Sequence, residues 1–143
     1  MTDNCLFCGI VKDDIEASLV YEDELTLAFM NLRQGNPGHV LVIPKAHIET
    51  IDELDMELAS ALFRTVVKVA QGIKLALHPD GMNVWQSNGP AAGQEIPHIH
   101  FHLFPRELND NRVRFYTQLP PLAERRYLNE LAEQIRVALV DVH

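Results

Sequence analysis

The chain has 143 residues, with 12 Lys and Arg against 20 Asp and Glu and a formal net charge of −8; this length suits one domain and excludes two compact ones. With 47% hydrophobic and 22% charged residues, it has apolar material for a core and charge for solubility, which excludes global disorder. The acidic balance repels phosphate polymers and no basic run exceeds Arg125-Arg126, so a nucleic-acid polymer is not an expected partner.

Asp3, Asp13, Asp14 and Glu16 interrupt the first 16 residues, unlike a signal peptide. No stretch approaches the roughly 20 apolar residues of a membrane span. A cytoplasmic protein that does not engage membranes is the expectation.

In chain order, residues 15–32 read as two strands around the acidic turn Glu22-Asp23-Glu24, a hairpin with β-branched and aromatic residues on either side. Arg33 to Gly38 is a loop carrying Gly35, Pro37 and Gly38. It feeds His39 to Ile43, too apolar for a half-exposed strand and therefore central, before Pro44. From Asp52 to Leu77 the period changes: Leu54, Leu58, Ala61, Leu62, Thr65, Val66, Val69, Ile73 and Leu77 mark one face of a long helix. Asp52 reads as its N-cap, with Asp55 three residues on, and Pro79-Asp80-Gly81 closes it. Met82 to Ser87 reads as a strand, Asn88 to Gly93 as a Gly/Pro loop, Ile96 to Phe104 as an alternating strand, and Pro121 to Val140 as a C-terminal helix. The order is that of an α+β fold, with no β-α-β winding.

Seven histidines are the unusual count. In His98-Ile-His-Phe-His-Leu-Phe104 the imidazoles alternate with Ile99, Phe101 and Leu103. A strand therefore sets three imidazoles on one face and a core-forming row on the other. Neighbouring imidazoles lie about 6.7 Å apart at Cα and the outer pair about 13 Å. Two could share a metal, but an unbent row of three does not converge on one ion. The row fits a groove in which one imidazole attacks and its neighbours hydrogen-bond or move protons. Just upstream, Asn88-Gly-Pro-Ala-Ala-Gly-Gln94 has the small residues that let backbone N–H groups approach an anion. Cys5 and Cys8, the only cysteines, make no disulfide framework; a Cys-x-x-Cys alone is compatible with zinc, redox chemistry or inert thiols.

His98-Ile99-His100-Phe101-His102-Leu103-Phe104 resembles the His-φ-His-φ-His-φ-φ pattern (φ, apolar) of the histidine triad family of nucleotide hydrolases and transferases. Residues 28–32, 38–47 and Gly93-Gln94 fall, in the same order, where the family has related segments. The resemblance implies an α+β fold with a five-stranded antiparallel sheet, one domain over residues 1–143, a homodimer, and a purine nucleotide of the AMP type in a groove on the triad strand.

Carried onto this chain, the resemblance makes His100 the nucleophile that attacks the α-phosphorus of a nucleoside phosphoramidate or dinucleoside polyphosphate, forming a nucleotidyl-histidine that water resolves. His102 would hydrogen-bond the phosphate and help protonate the leaving group. Gln94 and the amides of Gly93 to Glu95 would stabilise phosphate charge, and His39 would orient the nucleophile from behind. Asn31 and Leu32 would flank the ribose and base, and either Ser87 or Asn88 would contact the nucleotide. Glu95 departs from the Ser or Thr of several relatives, which bears on substrate preference. Bacterial-type members also carry an N-terminal Cys-x-x-Cys, and Cys5, Cys8, His47 and His98 would correspondingly form a closed structural zinc site. The chemistry itself requires no catalytic metal. The alternative is a nucleotide-binding scaffold dimer with a vestigial triad. His78 and His143 receive no role.

Overall fold

The computed structural model describes residues 4–112, 114 and 118–142; Met1 to Asp3, Val113, Phe115 to Thr117 and His143 lie outside the described residues. The elements are α1 (Leu6–Val11), β1 (Leu19–Glu22), β2 (Thr26–Met30), β3 (Val40–Pro44), α2 (Met56–Leu77), β4 (Gly81–Gln86), β5 (Phe101–Arg106) and α3 (Arg125–Leu139), with single 3₁₀ turns at Ile51–Glu53 and Pro90–Ala92. Five strands form one antiparallel sheet in the order β1-β2-β3-β5-β4, as the resemblance implies.

The expected hairpin is β1–β2. Its turn is tied by the Asp23 carboxylate, which accepts from the N–H groups of Leu25 and Thr26 at 2.9 and 2.8 Å and from the Tyr21 hydroxyl at 3.0 Å. β3 is the middle strand and is buried along its length, which explains its unbroken apolar run. Val40 and Val42 face α2 with Ala28 and Leu103. Leu41 and Ile43 face the other way, against Cys5, Phe7, Cys8, Leu27 and Phe29.

α2 buries Leu58, Ala61, Leu62, Thr65, Val66, Val69 and Ile73, the stripe read from the three- and four-residue spacing without its two ends: Leu54 precedes the helix and Leu77, in its last turn, is 48% exposed. Each fully buried aliphatic side chain contributes about 1.5–3 kcal/mol. The hydroxyls of Thr65 and Thr26 meet at 2.7 Å and join helix to sheet. The helix starts later than expected. Asp55 is its N-cap, accepting from the Leu58 N–H at 2.8 Å, whereas Asp52 lies in the preceding 3₁₀ turn. The extended backbone of Leu54 separates the two helical segments, so only Asp55 stands where the orphan amides of the long helix begin. His78 ends it in the left-handed conformation, φ 49°.

β5 also differs from expectation, running Phe101–Arg106 instead of Ile96 to Phe104. Residues 96–100 keep the alternation, but they form no ladder; the Ile99 N–H reaches the Ile48 carbonyl at 2.7 Å. α1 was not expected. With six residues it is too short to show a period, and its N-cap is Cys5, whose Sγ accepts from the Cys8 N–H at 3.4 Å.

Residues up to Asp110 form one compact unit and those from Asn111 a second. In the second, α3 starts four residues after Pro121, with Glu124 as N-cap, and an Arg126–Glu130 ion pair at 3.1 Å bridges one turn. No helix among the described residues is long and apolar enough to cross a membrane.

Candidate active site

The alternating parity of residues 98–104 carries through into β5. Leu103 packs toward α2, while His98, His100, His102 and Phe104 face the opposite side with Phe7, His39 and Trp85. On that side lies a cavity of about 570 Å³ lined by Asn31, Leu32, His39, Trp85, Ser87, Gly93, Glu95, His100 and His102, among others.

The three imidazoles have separate partners. The Nδ1–H of His100 donates to the His98 carbonyl at 2.8 Å, so Nε2 carries the lone pair. Burial lowers the pKa of His100, opposed by its backbone hydrogen bond and by the charge of Glu95; the ring is a neutral base. A neutral imidazole with one nitrogen spent on a carbonyl offers a single lone pair of fixed direction, which can take a proton or attack an electrophile.

His102 is held by a relay. The Arg33 N–H donates to Asn31 Oδ1 at 3.0 Å, which turns the amide so that Nδ2 faces His39 Nδ1 at 3.4 Å. His39 Nδ1 is thereby an acceptor, and its Nε2–H donates to His102 Nδ1 at 2.9 Å. The remaining proton of His102 is on Nε2. Burial, with His100 and His39 adding to it, holds His102 down to about 3. His39 thus orients His102. The expectation that it orients the nucleophile is corrected: the His98 carbonyl, two residues away, already occupies His100 Nδ1.

The phosphate-loop expectations separate in the same way. Gly89 and Gly93 adopt φ of 82° and 83°, conformations that glycine takes without strain. The Gln94 side chain fastens the loop: Oε1 accepts from the Gly89 N–H at 2.6 Å, and Nε2 donates to the carbonyls of Glu49 at 2.7 Å and Ile96 at 3.1 Å. The N–H groups of Gly93 and Gln94 donate to the Pro90 and Gly89 carbonyls. The Glu95 N–H has no acceptor among the described residues. Ser87 lines the cavity, while the Asn88 amide is spent on the Ile51 N–H at 2.8 Å and on Gln86.

His98 belongs to a different cluster. Its Nε2–H donates to the Pro44 carbonyl at 2.8 Å, so Nδ1 presents a lone pair 3.4 Å from Cys5 Sγ and 3.6 Å from Cys8 Sγ. His47 Nδ1 is 3.3 Å from Cys8 Sγ. All four ligand atoms of Cys5, Cys8, His47 and His98 lie within 4.8 Å of one another. A tetrahedral zinc with Zn–S near 2.3 Å and Zn–N near 2.0 Å has S···N edges of about 3.5 Å, so this donor set fits zinc. The second-sphere carbonyl on His98 sets the required tautomer. Burial and the neighbouring Cys5 push the Cys8 thiol up to about 11, and burial takes His98 down to about 4. A dication resolves both by favouring thiolate over thiol and neutral imidazole over imidazolium.

Sequence reasoning missed two residues here. Trp85 stacks on His102 with ring centroids 4.5 Å apart and planes at 7°. Phe7 of α1 is buried edge-on to both His98 and His100, at 5.8 and 5.1 Å. Neither stands in a motif; the signal for Trp85 is its cross-strand pairing with His102, which needs the register of a sheet.

Residues 12–109 match the HIT domain family. The Bacillus subtilis protein hit is 46% identical over 104 residues, covering 73% of this chain and 72% of that protein. The adenosine 5'-monophosphoramidase of Schizosaccharomyces pombe is 40% identical over 103 residues, 72% of this chain and 74% of that protein. Among solved structures, a HIT family protein from Bacillus anthracis superposes with a TM-score of 0.89 at 38% identity, covering 96% of this chain and 99% of that one. A zinc-bound histidine triad family protein from Mycobacterium smegmatis superposes with a TM-score of 0.73 at 32% identity, covering 96% and 99%. With this sheet, this histidine arrangement and these relatives, the chain belongs to the HIT domain family.

Proposed function

We propose that the protein is a nucleotide hydrolase or nucleotidyl transferase that cleaves at the α-phosphate of a purine nucleoside phosphoramidate or dinucleoside polyphosphate through a nucleotidyl-His100 intermediate. The observation that carries this reading is the His100 imidazole, lining the cavity with its Nδ1–H spent on the His98 carbonyl and Nε2 left to attack. The relative named as an adenosine monophosphoramidase supports a nucleotide of the AMP type.

In the first step the Nε2–phosphorus bond forms and the bond from phosphorus to the leaving nitrogen or oxygen breaks. The leaving atom takes a proton from His102, which is protonated while the bound phosphate anion opposes the burial and neighbouring imidazoles that otherwise keep it neutral. In the second step water attacks phosphorus, the Nε2–phosphorus bond breaks, and the proton of water returns to His102. Splitting one displacement into two is the gain of covalent catalysis. In the free site His39 and Asn31 hold the neutral His102 ring through the relay, the bound phosphate holds it once it is protonated, and Asn31 and Leu32 flank the ribose and base. The phosphate meets His102 and the Glu95 amide, with Ser87 at the rim; Gly93 and Gln94 shape the loop that presents this amide.

Zinc held by Cys5, Cys8, His47 and His98 is structural in this reading: with four protein ligands it cross-links α1 to the segment that carries His100. A homodimer is the proposed assembly, using Phe63 and Val67 of α2 and Val84 of β4, which are 63%, 42% and 48% exposed. Replacing His100 by Ala tests the mechanism. The variant should bind AMP with wild-type affinity and lose turnover of adenosine 5'-phosphoramidate by at least about 10³-fold. Turnover retained in H100A would refute it.

A further inference from the structure

The stack of Trp85 on His102 is not explained by the relay. Trp85, the only tryptophan, pairs with His102 across β4 and β5, and the rings lie nearly parallel at 4.5 Å. The same indole is 5.7 Å from His39 and 5.7 Å from Phe104, and Phe104 lies edge-on to His39 at 5.0 Å. Two restraints therefore act on the His102 ring. The hydrogen bond from His39 fixes Nδ1 but leaves the ring free to tilt about that bond. The indole face removes the tilt. Reacting groups must be held to within about 0.5 Å and 10–20° to be productive, and an error of 1 Å costs about 10²-fold in rate.

We propose that Trp85 is a positioning residue for the reaction: its indole face locks His102 in the His39-bonded orientation and shields the ring from water. This rests on the role of His102 given above. The titratable groups that face His102 are His39, from the residue before β3, and His100, on its own segment; β4 contributes the uncharged indole. Burial is the largest cause of the low pKa of His102. Admitting water to its face lets the imidazole protonate at a higher pH. A proton on Nδ1 before the phosphate is bound removes the acceptor that His39 requires, so the ring is no longer held in place when substrate arrives.

The test compares the zinc-replete full chain carrying Trp85→Phe, Trp85→Leu or Trp85→Val with the wild type. The readouts are kcat and KM for adenosine 5'-phosphoramidate from pH 5 to 8, and the titration and tautomer of His102 by long-range ¹H–¹⁵N NMR. In W85L, kcat should fall about tenfold with KM within about twofold, and His102 should titrate between pH 4 and its ordinary value near 6.5. W85F keeps an aromatic face; it should retain at least about half of kcat and leave His102 neutral at pH 5. W85V replaces W85L if the latter does not melt cooperatively.

Wild-type kcat and wild-type imidazole signals in W85L would overturn the proposal, as would an equal loss in W85F or a loss carried by KM. If the wild type turns over no adenosine phosphoramidate, the proposed function fails. The NMR comparison, which needs no turnover, still decides whether Trp85 holds His102.

Discussion

Removing zinc, or replacing both Cys5 and Cys8 by Ala, should release α1 while leaving the sheet and α2 folded. A six-residue helix does not persist in water by itself, so α1 depends on its anchors. These are Cys5 and Cys8, through the proposed zinc site, and Phe7, which is 4% exposed and lies against Phe29, His98 and His100. Phe7 contributes about 1.5–3 kcal/mol through burial. Zinc at about a thousand times its Kd adds about 4 kcal/mol. In a domain of this size that linkage corresponds to a melting shift of about 10–15 °C. The assay is elemental analysis, calorimetry with and without chelator, and hydrogen exchange resolved by segment. One zinc per chain is expected, with fast exchange at residues 6–11 in the double variant and little change within residues 56–77. Protection of α1 in C5A/C8A equal to wild type, or native protein without zinc and with two freely titrating thiols, would refute the reasoning.

Two further predictions follow from charge. His102 has a folded-state pKa held down to about 3 against an ordinary 6.5, so between these values the unfolded chain binds the extra proton. Its contribution to stability is present above about 6.5 and is lost progressively as pH falls toward 3. Urea midpoints at pH 7, 5 and 4 should decline, and the decline should flatten in His102→Gln; an unchanged slope would contradict the assignment. Glu95 and Glu16 are acids on the cavity wall, with Arg33 as the charged base opposing them, so an anionic leaving group is disfavoured at Glu95 and a neutral or cationic amine is not. Glu95→Gln should raise kcat/KM for a diadenosine polyphosphate by about three- to tenfold at low salt, an effect shrinking as salt screens it, with less change for a neutral phosphoramidate. Equal changes for both substrates would remove Glu95 as a selector.

Much of this architecture was legible because burial imposes periods on the chain. The α2 stripe and the Ile99, Phe101 and Leu103 row are each the signature of one buried face, and both recur in the structure. Boundaries were harder to read. Asp52 and Asp55 are equally good caps in isolation, and only the turn at Leu54 makes Asp55 the one that meets an orphan amide. Residues 96–100 alternate as a strand does, yet pairing depends on a neighbour that alternation cannot reveal. In the site, the resemblance brought out the histidines and the cysteine pair. The orientation of each imidazole came instead from backbone carbonyls of His98 and Pro44 and from the Asn31 amide, partners that carry no sequence signature. Trp85 and Phe7 depend on cross-strand register and on a helix too short to show a period.

The central claim is that His100 Nε2 becomes covalently bonded to phosphorus during turnover. Mixing the zinc-replete enzyme with adenosine 5'-phosphoramidate labelled at phosphorus, quenching within the first turnovers in alkaline denaturant, which preserves a phosphorus–nitrogen bond to histidine, and mapping the label by mass spectrometry at alkaline pH tests it directly. The account predicts one adenylyl group on the peptide bearing residues 98–104, localised to His100, absent from H100A and chased away by water in the unquenched enzyme. Product formation at the wild-type rate with no label on His100 at any time, or a label on His98 or His102, would contradict it.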